Sequence, residues 1–262
     1  MAENIRRVII ESVSDRLGSK VIYSPENFGL PLISQTGKNV KICLLDSGVA
    51  NHTGIKNIKE SVNFTKHKDH DAIGHATFMA GAILCNDDNL LGIAPDAQLY
   101  CAKIVDDTCR VRFDSIIAGI LWAVIKKVDI LLIPISTNIE HTSLSTAINK
   151  AVDSGICVIA SVGNQNVIEY PAKYKNVLSV GSLDLTNNLA SFSSKGDFNI
   201  AGTMLETTYK DSKYAVVSGT SISAALAAGM CARLIEKLRT ENIQYSTEMI
   251  YAKMKELSVK IK

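Results

Sequence analysis

Aromatic residues are scarce in this chain, 6% of 262 positions with a single Trp, and there are only 5 Pro. No low-complexity tract interrupts it, and no apolar run approaches the ~20 residues of a membrane helix, so no helical span is expected. The first residues, Met1-Ala2-Glu3-Asn4-Ile5-Arg6-Arg7-Val8-Ile9-Ile10, carry neither a long apolar stretch nor a small-residue cleavage site, so no export signal is read here. Charge of one sign is also missing. With 28 basic and 26 acidic residues the formal net charge is +2, and no basic stripe is present to follow phosphates; nucleic acid and membrane are excluded as expected partners. The 6 cysteines form no C-x-x-C pair, and Cys43, Cys101 and Cys157 sit inside apolar runs. Buried, reduced thiols are the expectation, and with them a reducing, cytoplasmic setting. Their even number leaves disulfides open.

What is present is enough apolar material, 47% of residues, to bury one sizeable core. A single domain over residues 1–262 is expected, with an N-terminal extension at 1–24, a core at 25–238 and a helical segment at 239–262. Short runs rich in β-branched residues, at 40–45, 99–105, 130–135, 156–162 and 177–181, alternate with helical patterns, the signature of an α/β fold with a mostly parallel sheet between helical layers. Residues 114–127 place Ile116, Ile117, Ile120, Leu121, Val124 and Ile125 at helical spacing, with Asp114 as the expected N-cap. Residues 143–154 repeat the pattern and stop at Gly155.

In such sheets ligands sit beyond the carboxyl ends of the strands. Asp46, Ser136-Thr137-Asn138 and Gly163-Asn164 each close a predicted strand, so they share one sheet edge. His75 and Ser221 each open an apolar helical pattern. Each residue has an ordinary structural reading: Asp-Ser-Gly is a common turn, a lone histidine is usually a core or surface residue, and Ser-Gly-Thr-Ser is good capping chemistry. The other histidines, His52, His67, His70 and His141, lie in polar loops without comparable context. Together, in the order Asp, His, Ser, the three supply a weak nucleophile, the base it needs and a carboxylate to orient that base.

At this point the chain resembles the subtilisin-like serine proteases over residues 25–238. The carrying motifs are Asp46-Ser47-Gly48-Val49, Gly74-His75-Ala76-Thr77-Phe78-Met79-Ala80-Gly81 and Ser218-Gly219-Thr220-Ser221-Ile222-Ser223-Ala224. Leu91-Gly92-Ile93-Ala94-Pro95, Tyr170-Pro171-Ala172-Lys173-Tyr174 and Ala190-Ser191-Phe192-Ser193-Ser194-Lys195-Gly196 support them. The resemblance implies a three-layer subtilisin-like sandwich and a serine endopeptidase acting on peptides or proteins. It also implies a triad of Asp46, His75 and Ser221, and an oxyanion hole built from Asn164 and the Ser221 N–H. One such donor is worth ~3 kcal/mol to a developing oxyanion. No metal or organic cofactor is required for this chemistry.

Several positions depart from the family pattern. Ala76 and Phe78 replace a glycine and a second histidine, and Ala225 replaces a proline after the serine. The cleft segment Ser136-Thr137-Asn138 carries more polar bulk than usual, so a narrowed S1 entrance is expected, bordered by Gly163. Glu169 precedes the Tyr-Pro step. It is either a carboxylate at the S1 floor, favouring Lys or Arg at P1 through a charge-assisted bond, or a solvent-facing loop acid. Secreted relatives hold calcium near the turn that here reads Asn86-Asp87-Asp88-Asn89. Asp87 and Asp88 are candidate ligands, but Gly54 stands where a further carboxylate is expected, so the usual site is incomplete and a solvated turn is the expectation. No prodomain is recognised: either one has been removed, as from a secreted enzyme, or the enzyme folds without one, and an intracellular, processing-type enzyme is expected. The rival is a catalytically silent, peptide-binding or scaffolding relative; an esterase is a lesser third reading.

Overall fold

The run Ile42-Cys43-Leu44-Leu45 alternates in neither polarity nor size, as a strand covered on both faces requires. A computed structural model, which describes residues 3–4, 9–31 and 33–262, puts it at the heart of a parallel sheet. Residues 1–2 and 5–8 of the predicted N-terminal extension, and position 32, lie outside the described residues.

The sheet has seven strands: β1 (Lys41–Asp46), β2 (Ile58–Asn63), β3 (Gln98–Lys103), β4 (Ile130–Ile133), β5 (Cys157–Ser161), β6 (Leu178–Leu183) and β7 (Phe198–Ala201). Their spatial order is β7-β6-β5-β4-β1-β3-β2, and every pairing is parallel. Chain order reverses direction beside β1, so the crevice at its carboxyl end is a topological switch point. Side chains alternate between two cores. Ile42, Leu44, Ile130, Leu132 and Ile159 enter one; Cys43, Leu45, Leu131, Ile133 and Val158 enter the other.

Helices α1 (His75–Leu84), α4 (Thr220–Thr240) and α5 (Thr247–Leu257) cover the first core, and α2 (Phe113–Lys126) and α3 (Thr142–Asp153) the second. This is the expected three-layer sandwich. In α2 the buried stripe is Ile116, Ile120 and Ala123, while Ile125 turns outward at 73% exposure. Arg112 rather than Asp114 is the N-cap; Asp114 lies in the first turn, where a carboxylate still meets the positive helix end. The last helix stops at Leu257, short of the end of the predicted helical segment at 239–262, and anchors through Ile250 and Met254. The described residues of the extension pair with the rest of the chain. Residues Ile9–Ser14 form an antiparallel strand on Tyr214–Ser218, which also pairs with Leu205–Thr208, and Glu3–Asn4 pairs with Arg110–Val111.

Candidate active site

A carboxylate after four apolar residues must find partners or destabilise the strand it ends. Asp46 is 1% exposed, and its Oδ1 accepts the Ser47 N–H at 2.6 Å. Its remaining capacity meets the imidazole of His75, the first residue of α1: Nδ1 lies 2.7 Å from Oδ2 and 2.9 Å from Oδ1. This contact fixes the ring orientation and assigns the Nδ1 proton toward Asp46.

The loop before α1 is held by Asp71, which the sequence reading missed. Its Oδ1 accepts from the Ser47 hydroxyl at 2.8 Å, Ile73 N at 3.2 Å and Gly74 N at 2.7 Å. Its Oδ2 accepts from Thr77 N at 3.1 Å and the Thr77 hydroxyl at 2.7 Å. The Ser47 hydroxyl in turn accepts Ala76 N at 3.0 Å. One buried carboxylate thus caps α1 and ties it to the turn carrying Asp46. Its spacing, an Asp three residues before Gly74 at a helix start, was the available signal. Gly74 has φ +89°, and a Cβ there would lie 2.3 Å from the Tyr209 ring. Tyr209 stacks on Phe78 at 5.2 Å, which gives the family-atypical Phe78 its place.

Burial pushes the His75 imidazolium down, but the Asp46 charge and hydrogen bond, with a further contribution from Asp71, outweigh it, and the net shift is upward. The other ring nitrogen, Nε2, is buried and has no hydrogen-bond partner among the described residues.

Ser221 is the second residue of α4 and 5% exposed. The helix N-cap is Gly219, with no side-chain cap bond, so the capping reading of Ser221 does not hold. Its hydroxyl instead donates to the Pro134 carbonyl, just past β4, at 2.7 Å. Asn164 follows Gly163, whose φ of +96° turns the chain at the end of β5. Its Oδ1 accepts the Thr220 N–H and hydroxyl, both at 2.9 Å. The amide NH₂ of Asn164 is therefore the end left over, beside the first turn of α4.

Glu169 is 8% exposed, which removes the solvent-facing reading. Its Oε2 accepts the Ser136 hydroxyl at 2.5 Å, and a Cβ on Gly163 would lie 2.5 Å from the same oxygen. Gly163, Ser136 and Glu169 therefore share one spot. Thr137 exchanges backbone bonds with Tyr170, both 2.8 Å, and its hydroxyl accepts Ile139 N at 3.1 Å; Asn138 is exposed. An apolar recess of about 20 Å³ between Val111, Phe113, Ile116, Ile135, Leu144 and Tyr170 adjoins them.

Elsewhere, Asp88 is exposed, and Asp87 is half-buried among hydrogen-bond donors rather than solvated. His67 sits by Asp106 and Asp107, and His141 caps α3. His52 departs from the polar-loop reading: it is 6% exposed.

A serine at a helix N-terminus, an oriented imidazole with a vacant nitrogen and an amide donor, all at the carboxyl edge of a parallel sheet, define a serine hydrolase of the α/β class. Comparison with known proteins then narrows the class. The model of the subtilase family matches residues 37–259. Subtilisin DY of Bacillus licheniformis is 34% identical over 235 residues, covering 81% of this chain and 85% of that protein. Subtilisin E of Bacillus subtilis (strain 168) is 34% identical over 216 residues, covering 77% and 57%. The minor extracellular protease Epr of the same strain is 36% identical over 226 residues, covering 82% and 35%. The chain thus spans most of the first relative, a little over half of the second and about a third of the third. It belongs to the subtilase family and is a subtilisin-like serine endopeptidase domain.

Proposed function

We propose that Ser221 is the acylating nucleophile, His75 its general base and acid, Asp46 the residue that orients His75, and Asn164 an oxyanion donor. The observation that carries this is the state of His75: Nδ1 is committed to Asp46 while Nε2 is buried without a partner among the described residues. An unsatisfied buried nitrogen costs about 1–3 kcal/mol unless something fills the place. A turn of the Ser221 side chain away from Pro134 O supplies that partner. Nε2 takes the hydroxyl proton as Oγ bonds to the peptide carbonyl carbon, and the carbonyl π pair moves onto oxygen. The Asn164 NH₂ and the Ser221 N–H at the positive end of α4 hold that oxyanion. Collapse expels the amine, which takes the proton from His75, and leaves an acyl-enzyme. Water then repeats the sequence, and its proton passes through His75 back to Ser221.

The enzyme's preference is for Lys or Arg at P1. The buried Glu169 carboxylate beside Gly163 and Ser136 supports this, since a cation there gains a charge-assisted bond. An intracellular, processing-type role is in keeping with the burial of Cys43, Cys85, Cys101, Cys157 and Cys231 in the two cores and at the end of α1, where reduced thiols pack as small apolar groups.

A fluorophosphonate probe tests the chemistry: covalent labelling is expected in the wild type and lost in Ser221→Ala, and absence of Ser221-dependent labelling would favour the silent peptide-binding relative. Matched peptides with Arg, Lys, Leu or Phe at P1 test the specificity. No basic preference, or one unchanged by Glu169→Gln, would refute it.

A further inference from the structure

Away from the nucleophile, at the far end of α1, three side chains of different chemistry meet. His52 lies in the loop after β1, Cys85 is the C-cap of α1, and Asp87 follows in the next turn. Each offers a ligand atom, and these atoms lie within 4.8 Å of one another. We propose that His52, Cys85 and Asp87 form a binding site for a thiophilic divalent transition metal, zinc foremost, with water completing the coordination.

The donor set decides the class of ion. One thiol, one imidazole and one carboxylate do not suit calcium, which takes 6–8 oxygen ligands, whereas S, N and O together are the ligands of zinc. The spacing agrees. A tetrahedral zinc with Zn–S of about 2.3 Å and Zn–O of about 2.0 Å has an S···O edge of about 3.5 Å. The Cys85 Sγ to Asp87 Oδ2 separation is 3.4 Å.

The surrounding groups orient the ligands as a metal site requires. His52 Nε2 lies 3.1 Å from Lys213 O, which places the proton on Nε2 and leaves the Nδ1 lone pair for coordination. Nδ1 now accepts Gly54 N at 3.0 Å, a bond the metal would replace. Gly54 is pressed against the cluster: a Cβ there would lie 2.3 Å from Asp87 Oδ2 and 2.5 Å from Cys85 Sγ. Asp87 is pinned by Asn89 N and Leu90 N on Oδ1, both at 2.8 Å, and by the Tyr214 hydroxyl on Oδ2 at 2.7 Å.

Without metal the Cys85 thiol donates to Asp87, and burial with the nearby carboxylate keeps it protonated. Burial keeps the His52 imidazole neutral, the form that ligates. Metal binding is then M²⁺ + Cys–SH → Cys–S–M⁺ + H⁺, with the proton released to solvent and no change of oxidation state. An occupied site staples the loop after Asp46, the end of α1 and the strand Tyr214–Ser218, each leading to a residue of the proposed triad. At ten residues α1 is about 15 Å long, so the metal stands off the reacting atoms and acts on stability.

The test uses the chelator-treated, purified chain titrated with Co²⁺ and then Zn²⁺. One equivalent of Co²⁺ is expected to give a thiolate-to-cobalt charge-transfer band, which Zn²⁺ displaces; Zn²⁺ is expected to raise Tm and Ca²⁺ to leave it unchanged. The sulfur band separates this site from adventitious binding at the His75 imidazole. Cys85→Ser, with its fold verified by near-UV circular dichroism, is expected to lose the band. Tyr214→Phe, which frees Asp87 from one restraint, is expected to weaken binding about tenfold while keeping the band. A wild type with no band, a band that survives in Cys85→Ser, or Ca²⁺ raising Tm as much as Zn²⁺ would each overturn the proposal. The wild-type arms stand on their own should a variant fail to fold.

Discussion

Replacing Asp46 by Asn changes one buried oxygen into NH₂ and leaves the volume of the side chain intact, so its effect reads the role of the carboxylate directly. In the wild type both carboxylate oxygens face His75 Nδ1, at 2.7 and 2.9 Å, and demand a proton on it. An amide can present its NH₂ to Nδ1 instead, which stabilises the tautomer protonated on Nε2. That tautomer cannot accept the Ser221 proton. Loss of the correct tautomer and of imidazolium stabilisation is worth about ten-thousand-fold in kcat, about 5.4 kcal/mol of transition-state energy. The pH profile supplies an independent readout. The general base must be neutral, and the His75 pKa is raised above its ordinary value, so activity is expected to rise with pH through an acid limb above that value. In Asp46→Asn the raising charge and hydrogen bond vanish while burial remains, so residual activity should show its acid limb displaced to lower pH. The linkage has the same sign. A raised folded pKa stabilises the fold below the unfolded histidine value, and that contribution is lost as pH rises through the folded value. Asp46→Asn should lack this dependence. The assay is kcat/KM of a chromogenic peptide from acid to mildly alkaline pH, with active sites counted by fluorophosphonate. A loss below tenfold, or an unmoved acid limb, would refute the reasoning.

Asn164→Leu removes the free amide donor and should lower kcat by about 10²–10³ with KM little changed, measured by steady-state kinetics. Asp71→Ala orphans five donors from Ser47, Ile73, Gly74 and Thr77 and should cost about 3 kcal/mol, or about 6–12 °C in Tm by thermal denaturation. Glu169→Gln should lower kcat/KM for P1 Arg and Lys peptides at least tenfold relative to P1 Leu peptides, in a matched-substrate panel.

The strands that could be read from sequence are those covered on both faces. Ile42 to Leu45 and Ile130 to Ile133 show as unbroken apolar runs because helices lie above and below them. β2, with Lys59, Glu60 and Ser61 in its middle, went unread: it is the sheet edge, half in water, so no apolar run marks it. The site followed the same divide. Asp46, His75 and Ser221 stand at ends of strongly patterned elements, where position along the chain translates into position in space. Asp71 belongs to an irregular loop, and its five hydrogen bonds depend on how that loop folds back. His52 was misread for a related reason. Its neighbours Asn51 and Thr53 are polar, but the ring packs edge-on to Tyr214, 5.2 Å away and far along the chain, which no local window contains. Asp114 failed as a cap because the helix begins two residues earlier than that reading requires, with its cap at an extended Arg112 that offers no acceptor.

The strand Ile9–Ser14 lies on Tyr214–Ser218, and Glu11 accepts the Ser218 hydroxyl at 3.0 Å across 207 positions of sequence. On a ribosome adding about 5–20 residues per second, the early strand waits about 10–40 s for its partner. Ser221 follows only three residues behind Ser218. The wait therefore ends only as the proposed nucleophile is made, so the small sheet beside it and the residue it leads to are completed together.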